Sequence, residues 1–321
     1  MKKTFAFAAL AITLAACSSD DNIAYTNEEI KIHTTIGSMT RTVLDGNSTK
    51  FVANDELRLY AWDGTLSATS SPWINGVAVK LNSENKWVPA SQILWKTAET
   101  AHDFLAVYPS SLVNSLSDLT TCSYTMKDDG NVIDNDILRA YSPAVKMPAD
   151  NTLNLPFKHL MAKIQVNLKF RTQWETTPTV TSVTGSLAKT ANINFISNGI
   201  SPDRSAAATP SRTFTAKATP ATGYVYSYEI IAVPDDPDFK TINIAIDNNT
   251  YTFEYTDPNN GGQSSIALES GKVTTINLIV GHNKVELDMD NSDPTSGTGI
   301  FISDWTDQDD NYSGDAYVDN N

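Results

Sequence analysis

Alternation with a period of two dominates the chain. Lys163–Phe170, KIQVNLKF, puts Ile164, Val166, Leu168 and Phe170 on one face and polar residues on the other, the pattern of a strand with one buried side. Lys240–Tyr255, KTINIAIDNNTYTFEY, holds two such runs around Asp247, Asn248 and Asn249, residues that suit a tight turn, and so predicts a hairpin. Shorter runs of the same kind recur at Glu56–Trp62, Phe104–Tyr108, Ala191–Ile196, Ser227–Val233 and Lys272–Val280, separated by Pro, Gly, Asn and Asp clusters. Glu28–Gly37, EEIKIHTTIG, alternates Ile30, Ile32, Thr34 and Ile36, another strand with a face to bury. Only Ala90–Thr100, ASQILWKTAET, suggests a turn or two of helix. The chain reads as all-β.

Three prolines in the mostly polar stretch Ser142–Pro156 place an internal boundary near residue 150. Two β-sandwich units are expected, at 28–150 and 151–305, followed by a polar, acidic tail at 306–321. The six tryptophans divide by context. Trp62 and Trp95 sit beside alternating apolar residues and belong in a core, whereas Trp73 and Trp174 lie in polar, Pro-containing surroundings and are candidate exposed aromatics for stacking on sugar rings.

The first residues carry a different signal. Lys2 and Lys3 precede a mostly apolar run from Phe5 to Ala16, too short to cross a bilayer, which describes a secretory signal peptide at 1–16. It ends in Leu14-Ala15-Ala16-Cys17, which resembles the lipobox of bacterial lipoproteins and makes Cys17 the expected lipid attachment point, with 17–27 as a tether. Acylation of Cys17 would leave Cys122 without a partner, so packed cores rather than a disulfide must hold the fold. Cys122 reads as a small strand residue, since no cation precedes it closely enough to activate a thiol.

Charge narrows the partners. The chain carries a net charge of −14, and loss of residues 1–16 with their two lysines takes it to −16. That balance repels phosphate backbones, so no nucleic acid is expected. No catalytic residue, cofactor or metal site stands out. The four histidines, His33, His102, His159 and His282, share no ligand spacing. No G-x-S-x-G, S-x-x-K or phosphate-cradling glycine loop is present, and Gly185 and Gly199 stand alone. Asp307–Asp315, DQDDNYSGD, begins like a calcium loop but has Tyr312 where the turn needs glycine.

Four phrases then line up in order. "TRTVLDGNSTKFVANDELRLYAW" has a Thr-Arg pair followed by a Phe…Asp strand start. "ILWKTAETAHDFLAVYPSS" has a Trp followed by a strand ending Tyr-Pro. "LNLPFKHLMAKIQVNLKF" carries Phe-x-His-x-x-Ala-Lys, and "FISDW" closes the series. Together these resemble the fimbrillin-like proteins. The resemblance implies two transthyretin-like β-sandwich domains in a surface-exported lipoprotein of the type V pilus class, found in the outer membrane and the fimbrium. It also implies maturation by a protease that cuts after an arginine, for which Arg41 is the matching position, and refilling of the vacated groove by a strand from a neighbouring subunit. Other pilin subunits are then the partners, with the membrane reached through the lipid before maturation and a host or bacterial surface ligand for an adhesive subunit. The acidic Ser18-Ser19-Asp20-Asp21 that follows Cys17 resembles the tag for the outer leaflet in such bacteria.

The last sixteen residues are mostly polar, so the better donor-strand candidate is Gly299–Trp305, GIFISDW, through Ile300, Phe301, Ile302 and Trp305. An accessory, tip or anchor subunit fits as well as a stalk subunit. A second reading, from Trp73 and Trp174, is a surface glycan-binding lipoprotein of a nutrient-uptake system.

Overall fold

In the computed structural model the residues described are 26–37, 50–128, 132–205, 211–256, 265–289, 299–305 and 312–314. Cys17, Arg41 and the acidic tag fall outside them. The first half runs β1 (Lys31–Ile36), β2 (Glu56–Asp63), β3 (Ile74–Leu81), β4 (Trp87–Pro89), β5 (His102–Tyr108), β6 (Cys122–Thr125), β7 (Leu138–Val145) and β8 (Thr152–His159). The second runs β9 (Ala162–Phe170), β10 (Val180–Ser186), β11 (Thr190–Asn194), β12 (Gly199–Asp203), β13 (Ser211–Thr213), β14 (Thr215–Ala216) and β15 (Tyr226–Ala232). It continues with β16 (Thr241–Ile246), β17 (Asn249–Glu254), β18 (Lys272–Val280), β19 (Val285–Leu287), β20 (Ile300–Asp304) and β21 (Tyr312–Gly314).

Eight strands form one sheet in the order β21-β1-β8-β7-β5-β2-β3-β4. It bends around a core that includes Ile30, Ile32, Leu57, Leu59, Trp87, Trp95, Phe104 and Phe157. In the second half a sheet ordered β14-β15-β9-β18-β19 faces a four-stranded sheet ordered β13-β10-β16-β17. Ile164, Val166, Ile230 and Ile276 from the first meet Val183, Ile242, Ile244 and Phe253 from the second, a β-sandwich with its apolar rows turned inward. Each half pairs its first strand in parallel with a late one, β1 with β8 and β9 with β18.

A third apolar cluster joins the halves. Trp62, Leu105, Val107 and Leu119 pack there with Leu160, Met161, Phe195, Val233 and Trp305. A small sheet, β12-β11-β6, also crosses over, with Ile193 opposite Cys122. The Cys122 thiol is buried, and burial together with the nearby Asp118 pushes it up to about 11, so it is an inert packing residue.

Thr152–His159, just past the expected boundary at 150/151, pairs with β1 and β7 in the first sheet, and the apolar clusters change over near residue 160. Pro156 does not stop β8, because the pairing with β7 starts only at Phe157 and asks for no amide at the proline. Ala90–Thr100 forms no helix; Leu94 bridges Glu29, and Ile93 and Trp95 are buried two residues apart, as in a strand. The hairpin at 240–255 is as expected, with Ile246 opposite Asn249 across Asp247, which takes a positive φ of 51°.

Candidate functional site

The most consequential placement is that of β1. Its KIHTTI alternates half-buried and buried positions throughout, with Ile30, Ile32 and Thr34 fully buried. Burying each isoleucine is worth about 1.5–3 kcal/mol, so the strand is held mainly by its inner face. Along one edge it runs parallel to β8, Ile32 opposite Leu153 and Ile36 opposite Phe157. The bonds Lys31 N–H to Asn151 O, 3.0 Å, and Gly37 N–H to Phe157 O, 3.0 Å, extend the ladder at both ends.

The other edge is also occupied. Just upstream, Ile30 N–H donates to Ile93 O at 3.1 Å, Trp95 N–H to Glu28 O at 3.0 Å, and Thr26 N–H to Trp95 O at 3.2 Å. Past that zipper, β21 pairs antiparallel with Ile32–Thr34. The segment 26–37 is therefore an inserted strand, bonded on both sides and rooted in the core.

Thr34 is the one polar side chain on the buried face. Its Oγ1 accepts a 2.9 Å hydrogen bond from Trp87 Nε1, which satisfies an indole N–H that has no water to turn to. Around it, Phe51 meets Trp87, Tyr108 and Phe157 edge to face at 5.1, 5.3 and 5.3 Å. Tyr108 donates to Asp55 Oδ1 at 2.9 Å, and Asp55 Oδ2 accepts the Val52 N–H at 2.7 Å. Burial raises the Asp55 carboxyl despite those two bonds, and burial beside Asp55 pushes the Tyr108 hydroxyl well up. The Phe, Asp, Tyr-Pro and Phe-x-His phrases of the sequence thus converge on one corner of the slot that β1 fills. Such an arrangement can hold an extended peptide, with main-chain bonds on both edges and pockets for alternate side chains.

The C-terminal candidates lie elsewhere. Ile300–Asp304 is β20, antiparallel to β18 in its own chain, with Ile302 opposite Thr274. Trp305 is buried, its indole flat on the His159 imidazole with centroids 3.9 Å apart and planes within 2°. His159 Nδ1 lies 2.8 Å from the buried Asp136 carboxylate. That pairing was invisible in sequence, where His159 had only Lys158 beside it.

Trp73 and Trp174 are half-buried rather than exposed. Trp73 packs edge-on against His102 and Phe104. Trp174 packs against Phe170, Tyr251 and His282 and donates Nε1–H to Val280 O at 3.1 Å. Each indole is large enough to draw neighbours over it, which leaves less ring face for a sugar. Trp62 and Trp95 are in the cores, as expected. His102 is fully buried, and its imidazole is held below its ordinary value by that burial. Among the described residues no group of three or more His, Cys, Asp or Glu is placed to hold a metal ion. No helix among them is long and apolar enough to cross a membrane.

The model of the fimbrillin-like family matches residues 40–305. The chain belongs to that family. No curated protein matches it. Among solved structures, a candidate cell adhesion protein from Bacteroides uniformis is similar at a TM-score of 0.61 and 13% identity, covering 88% of this chain and 99% of the other. A second candidate cell adhesion protein, from Bacteroides ovatus, is similar at a TM-score of 0.58 and 18% identity, covering 92% and 100%. At these identities the likeness speaks for the fold, an all-β sandwich architecture. This fimbrillin-like chain shares it over most of its length.

Proposed function

We propose that the protein is a structural or adhesive subunit of a type V pilus, exported as a lipoprotein anchored through Cys17 and assembled with other pilin subunits at the cell surface. On this reading, cleavage after Arg41 releases β1, and a strand from a neighbouring subunit takes its place. We also propose that the chain divides into two sandwich units near residue 160.

The observation that carries the reading is the position of β1. It is the first strand among the described residues, it lies upstream of Arg41, and it is inserted between β8 and the Ile93–Trp95 segment. Its loss would strip one edge of β8 of partners and open an apolar slot beside Trp87 and Phe157, a template for strand addition. Donation by Ile300, Phe301, Ile302 and Trp305 would require β20 to leave β18 and Trp305 to leave His159. The donor candidate is thus a strand that has a home until a better one is offered.

The test treats purified chain with an arginine-specific protease and follows it by N-terminal sequencing and denaturing gels. The expected outcome is a new N-terminus at Thr42, detergent-resistant oligomers, and loss of both in Arg41→Ala. Surface-extracted protein that still begins at acylated Cys17, together with treated protein that stays monomeric, would overturn the proposal.

A further inference from the structure

Beside β13 lies a hollow of about 290 Å³, walled by Lys127, Asp128, Arg212, Thr213, Phe214 and Thr215 among others. Arg212 is only 2% exposed. Its Nε donates to Asp128 Oδ1 at 3.0 Å and its Nη1 to Ile231 O at 2.9 Å. Nη2 makes no hydrogen bond with a described residue. A buried guanidinium ordinarily finds partners for its donors, because leaving them dry is costly. Here one edge of the fork is left to the hollow.

Charge points the same way. Asp128 is shared, its Oδ2 lying 2.7 Å from Lys189 Nζ, while Lys127 at the rim lies 3.4 Å from Asp134. Among the described residues that line the hollow, two cations, Lys127 and Arg212, stand against one carboxylate, Asp128, a local surplus of one positive charge in a chain of net charge −14. A single surplus charge suits a monoanion better than a phosphate dianion, and the planar fork of arginine suits a carboxylate. The lining also includes the apolar Phe214 and Ile230 and the hydroxyl-bearing Thr213 and Thr215. The volume sits at the small end of ligand sites and admits one sugar ring rather than a peptide strand.

We propose that this hollow binds the terminal residue of an acidic glycan, a uronate or sialate, with its carboxylate on Arg212 and Lys127 and its ring over Phe214. Such a site recognises a carbohydrate surface, and it stands whether or not β1 is exchanged. It also lies apart from Trp73 and Trp174, so it does not depend on exposed indoles.

Calorimetry on the full chain tests it, with N-acetylneuraminate and glucuronate as probes and galactose, acetate and phosphate as controls. The expected result is saturable binding of at least one acidic sugar at millimolar affinity or tighter, with galactose silent. Lys127→Glu and Thr213→Trp, both at exposed positions, should each weaken binding at least tenfold while leaving the melting temperature unchanged. The proposal is overturned if neither acidic sugar binds. It is equally overturned if acetate and phosphate bind as tightly (an adventitious ion only), or if both variants bind as the parent does.

Discussion

Trp87 Nε1 donates a 2.9 Å hydrogen bond to Thr34 Oγ1 in the core, linking β4 to β1 across the mouth of the first sheet. The bond makes Thr34 more than a gap in a row of isoleucines, because it gives the slot a polar address at one register position. Thr34→Val keeps the shape and removes the acceptor, leaving a buried indole N–H unpaired at a cost of about 1–3 kcal/mol. Urea denaturation should show that loss, and Thr34→Ser should recover most of it. A Thr34→Val chain as stable as the parent would show that the bond contributes nothing.

Strand replacement follows the same geometry. A chain lacking residues 1–41 should be rescued by a synthetic peptide of Glu28–Gly37, read as a rise in melting temperature with peptide concentration. Shifting the peptide by one residue swaps its faces, so a register-shifted peptide should fail. Replacing Ile32 by Asp in the peptide should abolish rescue, since a carboxylate would be buried where the structure has an apolar side chain. Rescue by any of these peptides equally would indicate nonspecific adhesion to an open edge.

Faces were legible in the sequence, and neighbours were not. The alternation at Lys163–Phe170 located β9 and its inner row, Ile164, Val166 and Leu168. It gave no sign that the opposite face is covered as well. Lys163 is buried 3.1 Å from Glu229, and Asn167 is buried between Asn277 and Ser227. A central strand carries polar residues inward when they satisfy one another, and periodicity alone cannot tell that from exposure. Likewise the isoleucines of β1 announced a strand, yet its parallel partner lies roughly 120 residues away, set by long-range packing. Gly185, isolated in sequence, has a packing reason, since a Cβ there would meet the Phe214 and Phe239 rings at 3.1 and 3.2 Å. Arg212 was overlooked because a lone arginine in a polar stretch carries no pattern. Its burial comes from the fold.

Acid should weaken the fold through carboxylates whose folded values lie below their ordinary ones. Asp118 accepts the Asn114 and Ser115 N–H groups at 2.8 Å each, which lowers it. Burial alone would raise Asp128, but hydrogen bonds from Lys189 and Arg212 outweigh it and hold it down. A depressed folded value means the contribution is present above the unfolded value, about 4, and is lost as pH falls through the folded one. Asp55, raised by burial, works against the trend, because protonation there relieves a penalty. The expected outcome is a melting temperature that falls below about pH 4, with a shallower fall in Asp128→Asn. A flat profile down to pH 2 would contradict the assignment.

The stack of Trp305 on His159 closes the second half against the first, and it makes the last prediction. The Trp305 backbone N–H donates to Gly271 O at 3.1 Å, Lys163 Nζ lies 5.5 Å from the indole centroid, and the ring covers the imidazole that faces Asp136. Trp305→Ala uncovers the buried His159–Asp136 contact and opens a cavity, costing about 3–5 kcal/mol. Because β20 is tethered by that ring, the same change should free Ile300–Asp304 from β18 more often. Hydrogen exchange should therefore quicken at the amides of Lys272–Ile276, the stretch that β20 covers. Trp305→Phe, which keeps a stacking face, should lie between. Unchanged exchange in the alanine variant would mean that β20 is held by its own pairing and that the stack serves only the junction.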